Sequence, residues 1–336
     1  MEIRMQSEKR DAYMDFLKGI AVLAVVVGHS IVDISRVNFL FQIIYSFHMP
    51  LLFFLSAYVE EENRARYTGR EGLMLRRRIS GLLLPYLGWT ILYTVLVPGA
   101  AGNIGIKERS VQIVQMLLGY EQSGLWFFPV LCGLKVMHFL YWAMQKRCRR
   151  RMLQTDLLLC FVVEFFVVVL AVWTRQPYVI NMLSYAIPYF AAVLLVDHEV
   201  LQRLSQTEWV AAGGVLLYGI LFPFYSFQNP GLTTQAIRIL LSMCVIVLCC
   251  KARSGWREHA GNRLVCLCGR NSLAVYVLHA FFMDYKIYLY EIRSVALMLF
   301  LAVLAACMVA AVCIGIAGFV RISSWWSTLL LGERRK

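Results

Sequence analysis

The chain has 336 residues, of which 60% are apolar and only 16% charged, and its formal net charge is +13 at pH 7. With a mean hydropathy of +0.64, this composition excludes a water-soluble globular domain. The apolar residues come in blocks of about 20, the length that a helix needs to cross the hydrocarbon of a bilayer. The sequence therefore predicts an all-α, polytopic integral membrane bundle.

Ten such blocks follow one another along the chain, and we predict one membrane-spanning helix for each. The stretch SVQIVQMLLGY, between the third and fourth blocks, repeats apolar residues at helical spacing and predicts a short helix at the membrane surface. The ten predicted spans lie at residues 13–32, 38–59, 80–98, 124–143, 156–173, 178–196, 209–226, 235–250, 267–288 and 295–320.

Most of the 33 lysines and arginines lie in the N-terminal leader, in alternate loops and at the C-terminus, on one side of the predicted bundle. Cytoplasmic loops of membrane proteins carry the excess of Lys and Arg. We therefore expect both termini to be cytoplasmic and the chain to lie in the cell membrane, surrounded by lipids. Because topology accounts for the basic charge, no nucleic-acid partner is expected.

The connections between the blocks are short and the sequence shows no internal repeat. Residues 1–336 are therefore expected to form one transmembrane domain, embedded over about 13–320, with no appended soluble domain. Most of the ten cysteines are expected to act as small apolar residues within spans, and Cys148 to be a reduced thiol in a cytoplasmic loop. Neither Cys249-Cys250 nor Cys266-x-Cys268 has the ligand spacing of a zinc site, and we expect no metal.

The first block contains KGIAVLAVVVGHS, with Lys18 at its start and His29 near its end. Asp15, Lys18 and His29 fall on one stripe of the predicted helix, and the last two lie about 16 Å apart along its axis. A titratable side chain inside hydrocarbon is costly, so its presence indicates a partner or a function.

Two more histidines, His48 in YSFHMP and His279 in YVLHAFF, reach a depth similar to that of His29 when residues are counted from the ends of their blocks. His138 falls closer to the cytoplasmic face and stays outside this group. A histidine titrates near neutral pH and suits the removal of a proton from a hydroxyl. Each histidine could instead hydrogen-bond between helices, but the common depth of the three favours a catalytic site.

Lys135 in the fourth block and Glu164 in the fifth are further charges at depth. Adjacent helices could bring these two side chains together. For them we expect a structural ion pair rather than a catalytic role.

The densest basic segment, RARYTGREGLMLRRRISG, precedes the third block and contains Arg76, Arg77 and Arg78. Topology and anionic lipid headgroups are sufficient to explain these arginines. A phosphate-rich cytosolic ligand such as coenzyme A explains them equally well, because guanidinium groups pair with phosphate in bidentate fashion. Both interpretations stay open on these residues alone.

Four segments together resemble the acyltransferase-3 family of integral membrane acyltransferases, including its fucose 4-O-acetylase-like branch. They follow in the family's order over about residues 13–280. The resemblance implies a membrane O-acyltransferase that moves an acyl group, usually acetyl, from cytosolic acetyl-CoA to a hydroxyl of a cell-envelope glycan or related sugar acceptor. The four segments are DFLKGIAVLAVVVGHS, FHMPLLFFLSAY, LWFFPVL and GRNSLAVYVLH.

The same resemblance assigns roles to individual residues. It makes His29 the catalytic base or acyl relay, and Lys18 the residue that holds the anionic part of the donor or orients the site. Acyl transfer also needs hydrogen-bond donors for the oxyanion, and the candidates are Ser272, Asn271, Tyr276 and Trp126.

The arginines before LLLPY resemble a cytoplasmic Arg-x-x-Arg element of the family, which would bind coenzyme A. Arg78 stands at its first position, but Gly81 stands at its second. The element is therefore incomplete unless Arg76 or Arg77 takes the missing place.

The family's two-domain members carry a soluble esterase-like domain, which this chain is expected to lack. The protein would then act directly on its acceptor or pass the acyl group to an envelope-biosynthesis partner protein. A different hypothesis is a transporter or flippase with a pathway of buried His, Lys and Glu, although transporters often have repeated halves. A third is the membrane part of an amino-acid-modifying system.

Overall fold

The computed structural model of the protein describes residues 11–31, 38–96, 106–120, 124–148, 152–198, 207–229, 231–285 and 292–333, together with residues 200, 203 and 289. Within these ranges every regular element is helical and there is no β-strand. The prediction of an all-α membrane bundle is confirmed.

The α-helices end where side chains cap them or where the chain turns. Asp11 caps α1 by accepting from the backbone N–H of Tyr13 at 2.9 Å, as N-cap acids commonly do. Short 3₁₀ turns follow α2, α8, α9 and α11, at Arg64–Tyr67, Phe222–Phe224, Arg253–Gly255 and His279–Tyr285. The α-helices are α1 (Ala12–Ser30), α2 (Asn38–Glu62), α3 (Glu71–Leu96), α4 (Ile106–Leu118), α5 (Phe127–Gln145), α6 (Leu153–Thr174), α7 (Pro177–Asp197), α8 (Trp209–Leu221), α9 (Leu232–Ala252), α10 (Ala260–Arg270), α11 (Ser272–Leu278), α12 (Val295–Val320) and α13 (Ser324–Leu331).

Among the described residues, seven helices are long and apolar enough to cross a membrane: α1, α2, α5, α6, α7, α9 and α12. An eighth span results if α10 and α11 count as one, bent by 66°. The sequence predicts a continuous helix at 267–288, but the chain breaks at Asn271, which has φ −108° and ψ 19°. Asparagine favours turns because its side chain competes for backbone hydrogen bonds.

The third and seventh predicted spans form helices, α3 and α8, that are not among those long and apolar enough to cross a membrane. α3 begins at Glu71 rather than at residue 80, so its first turns include the arginines at 76–78 and its mean hydropathy falls. α8 has only 13 residues before its 3₁₀ turn. The short helix predicted for SVQIVQMLLGY is confirmed as part of α4.

The bundle has two ends that serve as reference points. At the proximal end, where α1 begins, Arg253 donates to Asp11 at 2.6 Å and to the hydroxyl of Tyr58 at 2.9 Å. At the distal end, α1 ends at Ser30 and α2 begins at Asn38. α2 occupies the centre, since it packs against α1, α7 and α9.

α1 and α10 approach each other unusually closely at two glycines. A Cβ added at Gly19 would lie 2.0 Å from the carbonyl oxygen of Val265, and one at Gly269 would lie 1.7 Å from that of Asp15. Lipid tails are as apolar as the helices, so membrane helices associate through such close packing of small residues. The two glycines thus hold α1 against α10, and so fix the segment that leads to His279 beside α1.

Candidate active site

The structure brings His29 and His279 together. Their rings stack with centroids 5.3 Å apart and an interplanar angle of 29°. His29, in the last turn of α1, is exposed, whereas His279, at the start of the 3₁₀ turn after α11, is buried. One ring of the pair is therefore accessible to a small molecule, and the other supports it from behind.

His279 is oriented by the backbone of its own helix. Its Nδ1 lies 2.7 Å from the carbonyl oxygen of Tyr276. A carbonyl oxygen only accepts, so Nδ1 carries the proton and donates, and Nε2 of the neutral ring keeps the lone pair.

His48 is the third member of this group. It is buried on α2, where its Nδ1 donates to the carbonyl oxygen of Ile44 at 2.6 Å and its ring meets Tyr45 edge-on at 4.9 Å. It lies close enough to His29 and to Arg238 for charges on these groups to interact with it. The three histidines selected from the sequence thus occupy one region of the bundle, toward the distal end of α1.

Of the four candidate oxyanion donors, Tyr276 lies beside this region. The Tyr276 ring is 6.1 Å from that of His279, and its hydroxyl donates to the carbonyl oxygen of Gly124 at 2.6 Å. Trp126 stacks on Tyr185 with centroids 5.4 Å apart.

Asn271 belongs to the proximal end instead. Its side-chain oxygen accepts from Arg321 at 2.8 Å, beside the break between α10 and α11. Ser272 follows it as the first residue of α11. These two residues shape the helix break rather than face the histidines.

Lys18 lies half-buried one turn after Asp15, whose carboxylate accepts from Arg270 at 3.2 Å. The stripe predicted on α1 therefore has a charged, proximal part and a histidine part, joined by the apolar middle of the helix. Lys18 is on the side of the glycine contact that faces the proximal end.

The structure separates the three arginines of α3. Arg76 and Arg77 are exposed, whereas Arg78 is half-buried and close enough to Glu60 for their charges to interact. Only Arg78 therefore belongs to the interior of the bundle.

The C-terminal segment packs against α3 at position 81. α13 folds back onto α3, where the Trp89 ring N–H donates to the carbonyl oxygen of Leu330 at 2.8 Å. Gly332 turns with φ +66°, and a Cβ there would be 2.0 Å from the carbonyl oxygen of Gly81. The place of the second arginine of the family element is thus covered by the chain's own C-terminal turn.

The expected ion pair of Lys135 with Glu164 is wrong. Lys135 on α5 instead pairs with Glu60 on α2, and both side chains are buried. The sequence counted Glu60 as a loop residue because the predicted span ended at residue 59, but α2 continues to Glu62.

Glu61, next to that pair, is the centre of a second buried network that the sequence did not reveal. It accepts from His138 at 2.7 Å, from the indole N–H of Trp142 at 2.8 Å and from Arg64 at 2.9 Å. His138 thus has a structural partner near the proximal end, in keeping with its exclusion from the histidine group. The sequence feature that could have indicated this network is the run of consecutive glutamates that ends α2.

At the surface of the proximal end, Lys146 donates to Glu71 and links the end of α5 to the start of α3. This hydrogen bond, with backbone N–H groups, lowers the pKa of Glu71 to about 2. Among the described residues, no three His, Cys, Asp or Glu side chains gather into a metal-ligating group.

A helical bundle with apolar spans and titratable side chains in its interior defines an integral membrane protein with a polar site inside. A family model described as an acyltransferase domain matches residues 11–318. The chain belongs to this acyltransferase family, as its four sequence segments predict, and the enzyme class of the family is that of transferases of acyl groups.

One curated relative is similar over a short region. The nodulation protein NolL of Mesorhizobium japonicum is 33% identical over 97 residues, which are 26% of this chain and 26% of that protein. The chain thus matches only about a quarter of the relative's length. No solved structure matches the chain.

Proposed function

We propose that the protein transfers an acetyl group from cytosolic acetyl-CoA to a hydroxyl of a cell-envelope glycan or related sugar. The observation that carries this proposal is the pair of His29 and His279, in which an exposed ring is backed by a buried one 5.3 Å away. Membership of the acyltransferase family supports the reaction class. The transporter alternative would use the buried pairs of Lys135 with Glu60 and of His138 with Glu61, but membership of an acyltransferase family favours acyl transfer.

In the proposed reaction, His29 takes the proton from the acceptor hydroxyl as its oxygen attacks the thioester carbonyl carbon. A C–O bond forms, the C–S bond breaks, and the proton passes from His29 to the departing thiolate of coenzyme A. In this reaction His279 would orient His29 by stacking on its ring, and His48 would influence the charge on His29 from nearby. A transient acyl group on His29 would divide the same transfer into two steps.

The donor would enter from the proximal end. Lys18 lies on that side, about 16 Å from His29 along α1, and Arg76, Arg77 and Arg78 lie in the first turns of α3. Phosphates of coenzyme A would contact these cations while its thioester reaches the histidines. Arg78 is the best placed of the arginines because it alone is half-buried beside the interior.

For cytosolic acetyl-CoA to enter there, the proximal end would face the cytoplasm, with both termini on that side of the cell membrane. Residues 1–336 would form one transmembrane domain. The acceptor would reach the histidines from the distal end. Lipids surround the bundle, and an envelope-biosynthesis protein is a further proposed partner.

The direct test uses purified protein in nanodiscs with labelled acetyl-CoA and a panel of glycan acceptors. Release of coenzyme A together with labelled acceptor is the expected result. The proposal would be wrong if well-folded protein neither binds nor cleaves acetyl-CoA. If that protein also moves a solute across the membrane of liposomes, the transporter hypothesis takes its place.

Replacing Arg78 by Gln is expected to raise the KM for acetyl-CoA roughly 10- to 100-fold, because a hydrogen bond to a charged group contributes about 1.5–3 kcal/mol. Arg70→Gln removes one positive charge from an exposed position of the same basic segment, outside the proposed donor site, and should change that KM less than about twofold, as surface ion pairs contribute little. Equal effects of the two variants would show that the segment acts only through its net charge.

A further inference from the structure

Arg238 on α9 is a buried arginine that the proposed transfer does not use. Its side chain is 9% exposed, its guanidinium lies 5.1 Å from the centre of the Tyr185 ring, and one terminal nitrogen is 3.5 Å from the Tyr185 hydroxyl. Its Nε has no hydrogen-bond partner. Among the described residues no carboxylate lies within ion-pair distance of it.

This arrangement differs from that of Lys135, another buried cation among the described residues. Lys135 has Glu60 as its carboxylate partner. A buried charge without a counter-ion and with an unfilled donor is costly, and inside a membrane it indicates a function.

The surroundings of Arg238 contain further unused hydrogen-bonding capacity. Tyr225, in the segment after α8, is buried, and its hydroxyl has no partner. Arg238 lies close enough to Tyr225 and to His48 for their charges to interact. Positive charge and hydroxyl donors thus lie beside the histidine group.

The segment that carries Tyr225 is fixed in place over α2. The backbone N–H of Phe227 donates to the side-chain oxygen of Gln42 at 2.8 Å, and its ring packs on Tyr45 at 4.5 Å. Since Tyr45 also contacts His48, one continuous wall joins Tyr225 to the histidines.

The position of Arg238 along the bundle argues against the donor as its ligand. The carbonyl oxygen of Cys249, on the same helix, accepts from Tyr13 at the proximal end. Arg238 comes about three turns earlier on α9, so it lies about 16 Å nearer the distal end. The donor phosphates belong to the proximal cations, so a ligand of Arg238 is on the acceptor side.

We propose that Arg238, assisted by the hydroxyl of Tyr225, binds an anionic group of the acceptor, a carboxylate or a phosphate, and so positions its hydroxyl at His29. This inference rests on the proposed acetyl transfer and names the class of its acceptor as an acidic sugar. No bond is made or broken at Arg238, which acts through charge-assisted hydrogen bonds.

The experiment compares three acceptors with purified protein in nanodiscs and labelled acetyl-CoA: a methyl hexuronoside, the methyl hexoside phosphate and the neutral methyl hexoside. The parent protein is expected to have a lower KM for one of the anionic acceptors than for the neutral one. Which anion is preferred distinguishes carboxylate from phosphate. If the parent releases no coenzyme A with any acceptor, the proposed function fails before this inference is reached.

Arg238→Gln is expected to raise the KM for the preferred anionic acceptor roughly 10- to 100-fold, the range of a lost charged hydrogen bond. The KM for the neutral acceptor should change much less, because that acceptor has no anionic group to pair with Arg238. Lys107→Gln removes one positive charge from an exposed position of α4 and serves as the control for net charge. Tyr225→Phe keeps the ring and should produce a smaller selective loss, so it tests the site even if the Arg238 variant does not fold. An unchanged ratio of anionic to neutral KM in both variants would overturn the inference, as would a parent without preference for an anion.

Discussion

Replacing His29 with alanine is expected to lower the proposed acetyl transfer from acetyl-CoA by about 10²- to 10⁴-fold, the usual contribution of a general base. The side chain is exposed, so its removal leaves no cavity in the core and the fold should survive. Coenzyme A release from labelled acetyl-CoA, measured on protein of matched thermal stability, checks the prediction. If His29 instead carries the acyl group as a covalent intermediate, its removal should abolish acetyl transfer completely.

His259→Ala is the matched control for this variant. His259 is an exposed histidine at the proximal end, where its backbone N–H donates to the side-chain oxygen of Asn262 at 3.0 Å, a bond that alanine keeps, so its replacement should not affect the transfer. Full turnover by the His29 variant would remove this histidine from the mechanism.

Removing one member of the buried pair of Lys135 and Glu60 is expected to have the largest effect on stability. Either Lys135→Met or Glu60→Gln leaves a charge buried without its partner, which costs about 3–5 kcal/mol. The double variant should recover most of this loss, because both charges then disappear together. Thermal unfolding in detergent and coenzyme A release on the folded fraction measure the two effects.

Glu164→Gln is the control that separates the observed partner from the one predicted from the sequence. It should leave the unfolding temperature nearly unchanged, since Lys135 pairs with Glu60. A double variant of Lys135 and Glu60 that folds but no longer releases coenzyme A would contradict a structural role and assign the pair to the reaction.

The helical fold was predictable because long apolar blocks in a chain of this composition have no other stable form in a bilayer. Hydropathy was less informative about helix ends, because charged residues there still belong to the helix. It placed the start of α3 after its arginines and the end of α2 before Glu60, although both helices continue past these charges. The break at Asn271 was also missed, since the apolar pattern runs through it.

The histidine group was predictable for a simpler reason. Depth follows from counting residues along a helix, and His29 and His279 lie at similar counts from the ends of their blocks. The partners of Lys135 and Arg238 depend on the rotation of helices about their axes and on which helices become neighbours. Chain order brings α5 and α6 together, yet Lys135 faces α2, so sequence proximity suggested the wrong acid.

The contact of Gly19 with Gly269 has a consequence for the distance between the stacked rings of His29 and His279. Gly19 precedes His29 by as many residues as Gly269 precedes His279, and a Cβ at Gly269 would lie 2.8 Å from the backbone nitrogen of Gly19. The contact between the two glycines therefore sets the relative position of the segments that carry His29 and His279, and with it the distance between their rings. A methyl group added there would push the helices apart and widen the gap between two rings that it never touches.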